Sequence, residues 1–200
     1  MTASNREMVE SLKRQGYIES ENVEQAFRNV DRSRYVPEKH SEAAYEDRPI
    51  KIGKGQTISA PHMVAINTEI LEPENSSRIL EVGSGSGYQA AILSEIAEKV
   101  LGVEIEEELA ERSRQTFGGS GRENVEIIRG VGLGPVKSEF DRILYSCAID
   151  QEEFDRAKSH MEDDGKLLAP VHERGHQVMK SYQSGETENH LRVRFVDYRS

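Results

Sequence analysis

Residues 78–89 read RILEVGSGSGYQ, an apolar run that passes directly into three glycines at alternate positions. The run 79–82 has the composition of a buried strand. Glycines at 83, 85 and 87 let the backbone turn sharply and approach a ligand closely. A helix that begins near Gly87 would direct its free N–H groups towards the same ligand. This stretch therefore predicts the first strand, turn and helix of a ligand-binding α/β unit.

The chain beyond this stretch alternates between strand and helix patterns. The predicted strands cover 78–82, 99–104, 125–129, 141–146 and 165–171, and the predicted helices cover 87–98, 106–117 and 151–161. Such alternation is typical of a doubly wound, mostly parallel α/β sheet with helices on both faces. Two further apolar runs, 177–182 and 191–196, flank a Ser184-Gly185 turn. They indicate a C-terminal antiparallel hairpin at the sheet edge.

The first 77 residues have a different organisation. One helix is predicted over 5–16, a second begins after Ser20 or Asn22, and a third has Pro61 as its first residue. Prolines and glycines interrupt 31–60, so that segment should be mostly loop, with at most a short helix near 41–45. We interpret the 200 residues as one domain, in which a helical and loop cap (1–77) precedes an α/β core (78–200).

Composition excludes several classes of protein. The net charge of −10 argues against non-specific binding to nucleic acid, which requires clustered cations. No apolar window approaches the ~18 residues of a membrane span, and the N-terminus lacks the apolar core of a signal peptide. The single cysteine, Cys147, excludes an intrachain disulfide and argues against a metal site, and the acidic run 162–164 is interpreted as a solvated turn. We expect a cytoplasmic monomer without a bound metal.

The spacing of the turn indicates which nucleotide it binds. The dinucleotide fingerprint G-x-G-x-x-G would require glycine at position 88, where Tyr88 stands. The sequence is instead E-x-G-x-G-x-G, with Glu81 ahead of the glycines, and Glu104 ends the next predicted strand. An acid in the position of Glu104 can accept hydrogen bonds from ribose hydroxyls. These features favour S-adenosylmethionine, whose amino group could pair with an acid near the turn; the alternative is a structural turn beside a surface glutamate.

The chain resembles the protein-L-isoaspartate O-methyltransferases over nearly its whole length. The resemblance is carried by MVESL (8–12), RYVPE (34–38), AYEDRPIKIGKGQTISAPHMVA (44–65), LEVGSGSGYQAA (80–91), FDRILYS (140–146), GKLLAPV (165–171) and VRFV (193–196). The most specific element is GQTISAP, which ordinary methyltransferases do not carry ahead of the glycine turn. The resemblance implies the S-adenosylmethionine methyltransferase fold and methylation of the free carboxylate of L-isoaspartyl residues, a step in protein repair.

The resemblance also implies the residues of the site. Ser59 would be the active-site serine, which holds the substrate carboxylate or orients its backbone; capping the helix at Pro61 is the alternative role. The substrate side would further include Ile58, Ala148 and Ile149. The cofactor side would comprise Gln56, Thr57, His62, Glu81, Gly83, Ser84, Gly85, Gly87, Glu104, Ile105, Gly130, Val131 and Gly132. For His62, the alternative is a position on the helix surface without a function in binding.

The chain departs from the family pattern at three places. Val131 replaces an acid that contacts the adenine amine, and His172 replaces a glycine. The run 147–150 (CAID) replaces small residues followed by proline, so we expect a bulkier and newly charged loop on the substrate side. These departures leave two alternatives: a divergent member that methylates a different carboxylate, or a catalytically weak cofactor-binding or interaction module.

Overall fold

The computed structural model describes residues 4–136 and 139–198. The elements of the first half are α1 (Asn5–Arg14), α2 (Glu21–Asn29), β1 (Ile50–Gly53), β2 (Gln56–Ile58), α3 (Pro61–Leu71), β3 (Arg78–Val82) and α4 (Tyr88–Ser94). They are followed by β4 (Lys99–Glu104), α5 (Glu107–Gly118), β5 (Val125–Arg129), β6 (Phe140–Tyr145), α6 (Gln151–Ala157), β7 (Met161–Glu173), β8 (His176–Gln183) and β9 (Glu186–Val193). Short 3₁₀ helices cover Arg32–Tyr35, Glu38–Ala43 and Lys158–His160.

A seven-stranded sheet in the order β5-β4-β3-β6-β7-β8-β9 forms the centre of the fold. Strands β3 to β7 pair in parallel, whereas β8 and β9 pair antiparallel at one edge. The predicted doubly wound sheet and its C-terminal hairpin are therefore confirmed. The strand order reverses between β3 and β6, and ligands of open α/β sheets bind at the carboxyl ends of the strands beside such a reversal.

Apolar residues cover both faces of the sheet. On one face, Ile79 and Leu144 pack in a cluster with residues of α1 to α5. On the other face, Leu80 and Ile143 pack with Phe154 of α6. Adjacent strand residues point to opposite faces, so two consecutive apolar residues on one strand serve two different layers. In the described parts of the chain, no helix has both the length and the apolar character that a membrane-spanning segment requires.

The segment 31–60 contains more regular structure than the sequence predicted. Strands β1 and β2 form an antiparallel hairpin whose Ile50, Ile52 and Ile58 side chains are buried. Gly53 and Gly55, which we interpreted as loop residues, form the tight turn of this hairpin with positive φ angles. The expected short helix near 41–45 is a 3₁₀ helix over Glu38–Ala43 instead. Strands of three or four residues are too short to show a reliable alternation of apolar residues.

Other predicted boundaries shift at the ends of elements. The helices predicted over 87–98 and 151–161 end earlier, at Ser94 and Ala157. Strand β7 begins at Met161, so the acidic run 162–164 belongs to a strand and is not a turn. Strand β9 covers 186–193 rather than 191–196, because the two-residue turn at Ser184 and Gly185 brings the chain into pairing immediately after β8. Backbone pairing thus recruits polar residues that carry no strand signal.

Candidate active site

A cavity of about 440 Å³ opens at the carboxyl ends of the parallel strands. We call it the main cavity because it contains the glycine turn; its volume is in the range of about 300–1,000 Å³ that is usual for small-molecule sites. Its floor comes from residues at the ends of β3 to β6: Val82, Gly83, Gly85, Val103, Glu104, Ile105, Gly130, Gly132, Ser146 and Cys147. Its walls come from the β2–α3 segment and from the C-terminal residues 191–198. The residues of GQTIS therefore lie beside the glycine turn.

The glycine turn has two separate structural reasons for its glycines. All three glycines have positive φ angles that other residues rarely adopt, and Gly83 and Gly85 also line the main cavity. Gly87 lines neither the main cavity nor the smaller one described below. A Cβ atom at Gly87 would collide with Ser113 Oγ and lie 2.8 Å from Phe117 Cε2. Gly87, which the sequence assigned to the cofactor, thus allows α4 to approach α5.

Glu104 presents a carboxylate to the main cavity. Its Oε2 accepts the Gly85 N–H at 2.7 Å, and its Oε1 accepts the Glu106 N–H at 2.8 Å. Burial raises the pKa of Glu104, against the effect of these backbone donors. Each carboxylate oxygen retains a second acceptor position. The side chain therefore fits a ligand that offers two adjacent hydroxyl groups, as a ribose does.

Glu81 lies beneath the turn with one oxygen unsatisfied. The side chain is 1% exposed; Oε1 accepts the Ser146 hydroxyl at 2.6 Å, whereas the buried Oε2 has no hydrogen-bond partner. Burial, with repulsion from Glu104, raises the pKa of Glu81 to about 8. Glu81 and Ser84 line a side cavity of about 30 Å³, which shares residues with the main cavity. A buried carboxyl oxygen without a hydrogen-bond partner is costly unless a ligand pairs with it, so this site fits a ligand amino group.

The backbone at Ser59 is held by a buried arginine. Arg32 is fully buried, and its Nη1 donates to the Ser59 carbonyl at 2.9 Å while Nε donates to the Ala44 carbonyl at 2.8 Å. Burial lowers the pKa of Arg32 to about 10. The residue that caps α3 is Ala60, so the alternative role of Ser59 as the helix cap is wrong. Ser59 lines both cavities, and the buried Ile58 lines the side cavity.

The carboxylate of Asp47, 15 positions earlier in the sequence, fixes His62 at the cavity wall. Asp47 Oδ1 lies 2.8 Å from His62 Nδ1 and also accepts the His62 backbone N–H at 2.9 Å. The imidazole packs against the Tyr17 ring with 5.3 Å between centroids. The same aspartate therefore caps the first turn of α3 and sets the orientation of the imidazole.

The remaining residues of the expected site fall into two groups. Gln56, Thr57, Ile105, Gly130 and Gly132 line the main cavity. Val131 does not line it, and its side chain is 43% exposed.

The expected substrate loop is arranged differently from the prediction. Ala148 and Ile149 are each 1% exposed and form bridges with Asp197 and Val171, so neither lines the main cavity. The Asp150 side chain accepts the Glu153 N–H at 2.8 Å and caps α6, so the prediction of a newly charged loop on the substrate side is wrong. Cys147 does line the cavity, and burial raises the pKa of its thiol.

Two contributors to the site were missed in the sequence. Arg32 carried no signal that distinguished it from a surface arginine. Residues 194–196 were interpreted as part of a strand, but together with Asp197 and Tyr198 they line the main cavity outside any strand. This C-terminal segment is anchored by the Ala148 N–H to the Val196 carbonyl at 2.8 Å and by the Tyr198 N–H to the Ala148 carbonyl at 2.7 Å. Among the described residues, no three His, Cys, Asp or Glu side chains are grouped as a metal site requires.

Comparison with known proteins agrees with this geometry. The model of the protein-L-isoaspartate(D-aspartate) O-methyltransferase (PCMT) family matches residues 3–199. The protein-L-isoaspartate O-methyltransferase of Methanoculleus marisnigri is 41% identical over 170 residues, which cover 82% of this chain and 76% of the relative. The enzyme of the same name from Myxococcus xanthus is 39% identical over 195 residues, which cover 92% and 91%.

A solved structure matches over the whole fold. The crystal structure of a Plasmodium falciparum protein assigned to PCMT, in complex with S-adenosyl-L-homocysteine, superposes with a TM-score of 0.86 at 26% identity. The match covers 98% of this chain and 99% of the other. The chain therefore belongs to the protein-L-isoaspartate(D-aspartate) O-methyltransferase family.

Proposed function

We propose that the protein transfers a methyl group from S-adenosylmethionine to the free carboxylate of L-isoaspartyl residues in damaged proteins and peptides. The observation that carries the proposal is that Ser59, held through its carbonyl by Arg32, lines the same cavity as Glu104 and the glycine turn. A residue expected on the acceptor side and residues expected on the cofactor side thus line the same cavity. Family membership supports the same reaction.

The residues of the chain fit the demands of this reaction. S-adenosylmethionine, when bound, supplies a methyl group on a sulfonium, which has a good leaving group. The acceptor carboxylate is already ionised near pH 7, so the protein does not need a general base. What remains is to hold the acceptor oxygen in line and to exclude water. Ser59 would orient the acceptor, while Met63, Val103 and Phe195 provide apolar wall around it.

Four features of the site would hold the cofactor. Glu104 would accept the ribose hydroxyls with the acceptor positions left on its two oxygens. Glu81 would pair with the amino group through its unsatisfied Oε2. The glycines at 83 and 85 would let the backbone approach the ligand. Gln56 and Thr57, from β2, would close over the cofactor.

The product of this reaction explains its use in repair. A methyl ester has a better leaving group than a carboxylate, so the neighbouring backbone amide closes the succinimide, which hydrolyses partly to normal aspartate. Proteins that contain isoaspartyl residues are the acceptors in this proposal. We further propose that the 200 residues form one domain that acts as a monomer in the cytoplasm and does not bind nucleic acid, in keeping with the net charge of −10.

A methyl-transfer assay with matched peptides tests the proposal. With labelled S-adenosylmethionine, an isoaspartyl peptide should gain a base-labile methyl ester and its normal aspartyl twin should gain far less. The aspartyl side chain places the carboxylate about one methylene further from the backbone, and a misplacement of about 1 Å can cost ~100-fold in rate. Ser59→Ala should lower the rate with little change in cofactor affinity, whereas Ser41→Ala, at an exposed serine outside both cavities, should change neither.

Two outcomes would contradict the proposal. Equal labelling of both peptides would show that the acceptor pocket does not distinguish the isoaspartyl backbone from the normal aspartyl backbone. No label on either peptide, with S-adenosylhomocysteine binding confirmed, would exclude isoaspartyl repair and favour a different acceptor or a module without catalytic activity.

A further inference from the structure

The side chain of Tyr198 reaches the loop after β5 from the opposite end of the chain. A Cβ atom at Gly132 would collide with the Tyr198 hydroxyl oxygen and lie 3.0 Å from Tyr198 Cζ. Gly132 also has a positive φ of 49°, so the loop is shaped to accept this phenol. Tyr198 and Gly132 both line the main cavity. The contact therefore places a hydroxyl group at the end of the cavity that the β5 loop forms.

This end of the cavity has little polar side-chain chemistry of its own. The loop contributes two glycines to the lining, Gly130 and Gly132, and the Val131 side chain between them is apolar and 43% exposed. The resemblance to the family implies an acid at position 131 that contacts the adenine amine, and valine cannot make that contact. A side chain that hydrogen-bonds the base would therefore have to come from another segment.

Tyr198 is held firmly enough to make such a bond. Its backbone N–H donates to the Ala148 carbonyl at 2.7 Å, and its ring packs edge-on against Tyr145 with 6.4 Å between centroids. The preceding Asp197 carboxylate lies 2.9 Å from His172 Nε2, which ties the segment to β7. Burial raises the pKa of Tyr198, so the phenol keeps its proton at neutral pH and can donate as well as accept.

We propose that Tyr198 is a cofactor-binding residue whose hydroxyl hydrogen-bonds the adenine of S-adenosylmethionine, in place of the acid missing at position 131. In this arrangement His172 and Asp197 are positioning residues, because they fix the segment that carries the phenol. The inference rests on the cofactor of the proposed function. It extends that function by assigning recognition of the base to the C-terminal segment.

Binding of S-adenosylhomocysteine, measured by isothermal titration calorimetry, tests the role of Tyr198. Tyr198→Phe keeps the ring and removes one hydrogen bond, so the Kd should rise about two- to tenfold. Tyr198→Ala also removes the ring and should raise the Kd further. Tyr182→Phe is the matched control, because the Tyr182 ring packs against the Lys158 ammonium group and lines neither cavity; its Kd should equal that of the wild type.

A second measurement separates direct contact from an effect on folding. Tetranitromethane nitrates accessible tyrosines, and mass spectrometry locates the modified residue. Saturating S-adenosylhomocysteine should protect Tyr198 from nitration and leave Tyr182 unaffected. A Kd within twofold of wild type for Tyr198→Phe, whatever the Kd of Tyr198→Ala, or nitration of Tyr198 that the ligand does not slow, would overturn the inference while the proposed function stands. Failure of the wild-type protein to bind S-adenosylhomocysteine at all would overturn the proposed function itself.

Discussion

Replacing Glu81 by glutamine should change how the stability of the protein depends on pH. The Glu81 carboxyl is 1% exposed, has one unsatisfied oxygen, and has its pKa raised by burial from 4.5 to about 8. The folded protein therefore prefers the neutral acid. The contribution of Glu81 to stability is complete below about pH 4.5 and is lost as the pH rises through about 8. Glutamine has nearly the same shape and stays neutral, so it should remove this dependence.

The size of the effect follows from the shift. A rise in pKa from 4.5 to about 8 corresponds to at most about 5 kcal/mol of unfolding free energy between those pH values. If half of this maximum free energy is realised, the Tm of a chain of this size should change by roughly 5–10 °C. The Tm of Glu81→Gln minus that of the wild type should therefore increase from pH 5 to pH 9 in thermal melts without ligand. Glu98→Gln, at an exposed carboxyl, controls for the loss of one negative charge.

Ligand binding gives an independent measurement on the same residue. If the amino group of the cofactor pairs with Glu81, it will favour the carboxylate, so binding at pH 7 should release most of one proton from the wild type. Titrations in buffers of different ionisation enthalpy measure this release, and Glu81→Gln should abolish it. A pH-independent difference in Tm, or a difference that decreases towards pH 9, would refute the reasoning about burial. Equal proton release by both proteins would refute the assignment of the amino group.

Three further substitutions test other parts of the site. Glu104→Gln should weaken S-adenosylhomocysteine binding by about 1–3 kcal/mol in calorimetry, and an unchanged Kd would exclude Glu104 as the ribose acceptor. Gly87→Ala should lower the free energy of unfolding by about 2–4 kcal/mol in urea titrations, because the new methyl group meets α5 side chains and alanine is strained at the positive φ of Gly87; wild-type stability would contradict both reasons. Val131→Asp should tighten S-adenosylhomocysteine binding by about 0.5–1.5 kcal/mol in a Tyr198→Phe background and by less in the wild type. Equal gains in the two backgrounds would argue that residues 131 and 198 do not substitute for each other in binding the adenine.

The sequence predicted the core of the fold well because the decisive signals were local. Strands β3, β4 and β5 have the predicted boundaries, since each is a short apolar run followed by a turn or a helix cap. Pro61 begins α3 as expected, because its missing N–H has no cost at that position. In contrast, the start of β9 depends on pairing with β8, and the polar residues there gave no strand signal.

The site could be predicted only in part, because some of its geometry depends on residues far apart in the sequence. The spacing of Glu81, Gly83, Gly85 and Glu104 indicated residues that do lie near one another in the fold, whereas Gly87 lines neither cavity. The hydrogen bond from Arg32 to the Ser59 carbonyl joins residues that are 27 positions apart in the sequence. The contact of Tyr198 with Gly132 joins the C-terminal segment to the loop after β5. No periodicity or motif in one segment reports such contacts.

The loop at 147–150 shows how a departure from a family pattern can be misread. From the sequence alone, an aspartate in place of proline suggested a charge facing the acceptor, which would repel a carboxylate substrate. Asp150 caps α6, Ala148 is buried against the C-terminal segment and Ile149 is buried against β7, so only Ser146 and Cys147 of this region line the main cavity. Neither carries a charge at neutral pH, since burial raises the pKa of the Cys147 thiol. This loop therefore gives no electrostatic reason for the protein to reject an isoaspartyl carboxylate, and exchanging it for small residues and proline should remove the α6 cap without improving transfer.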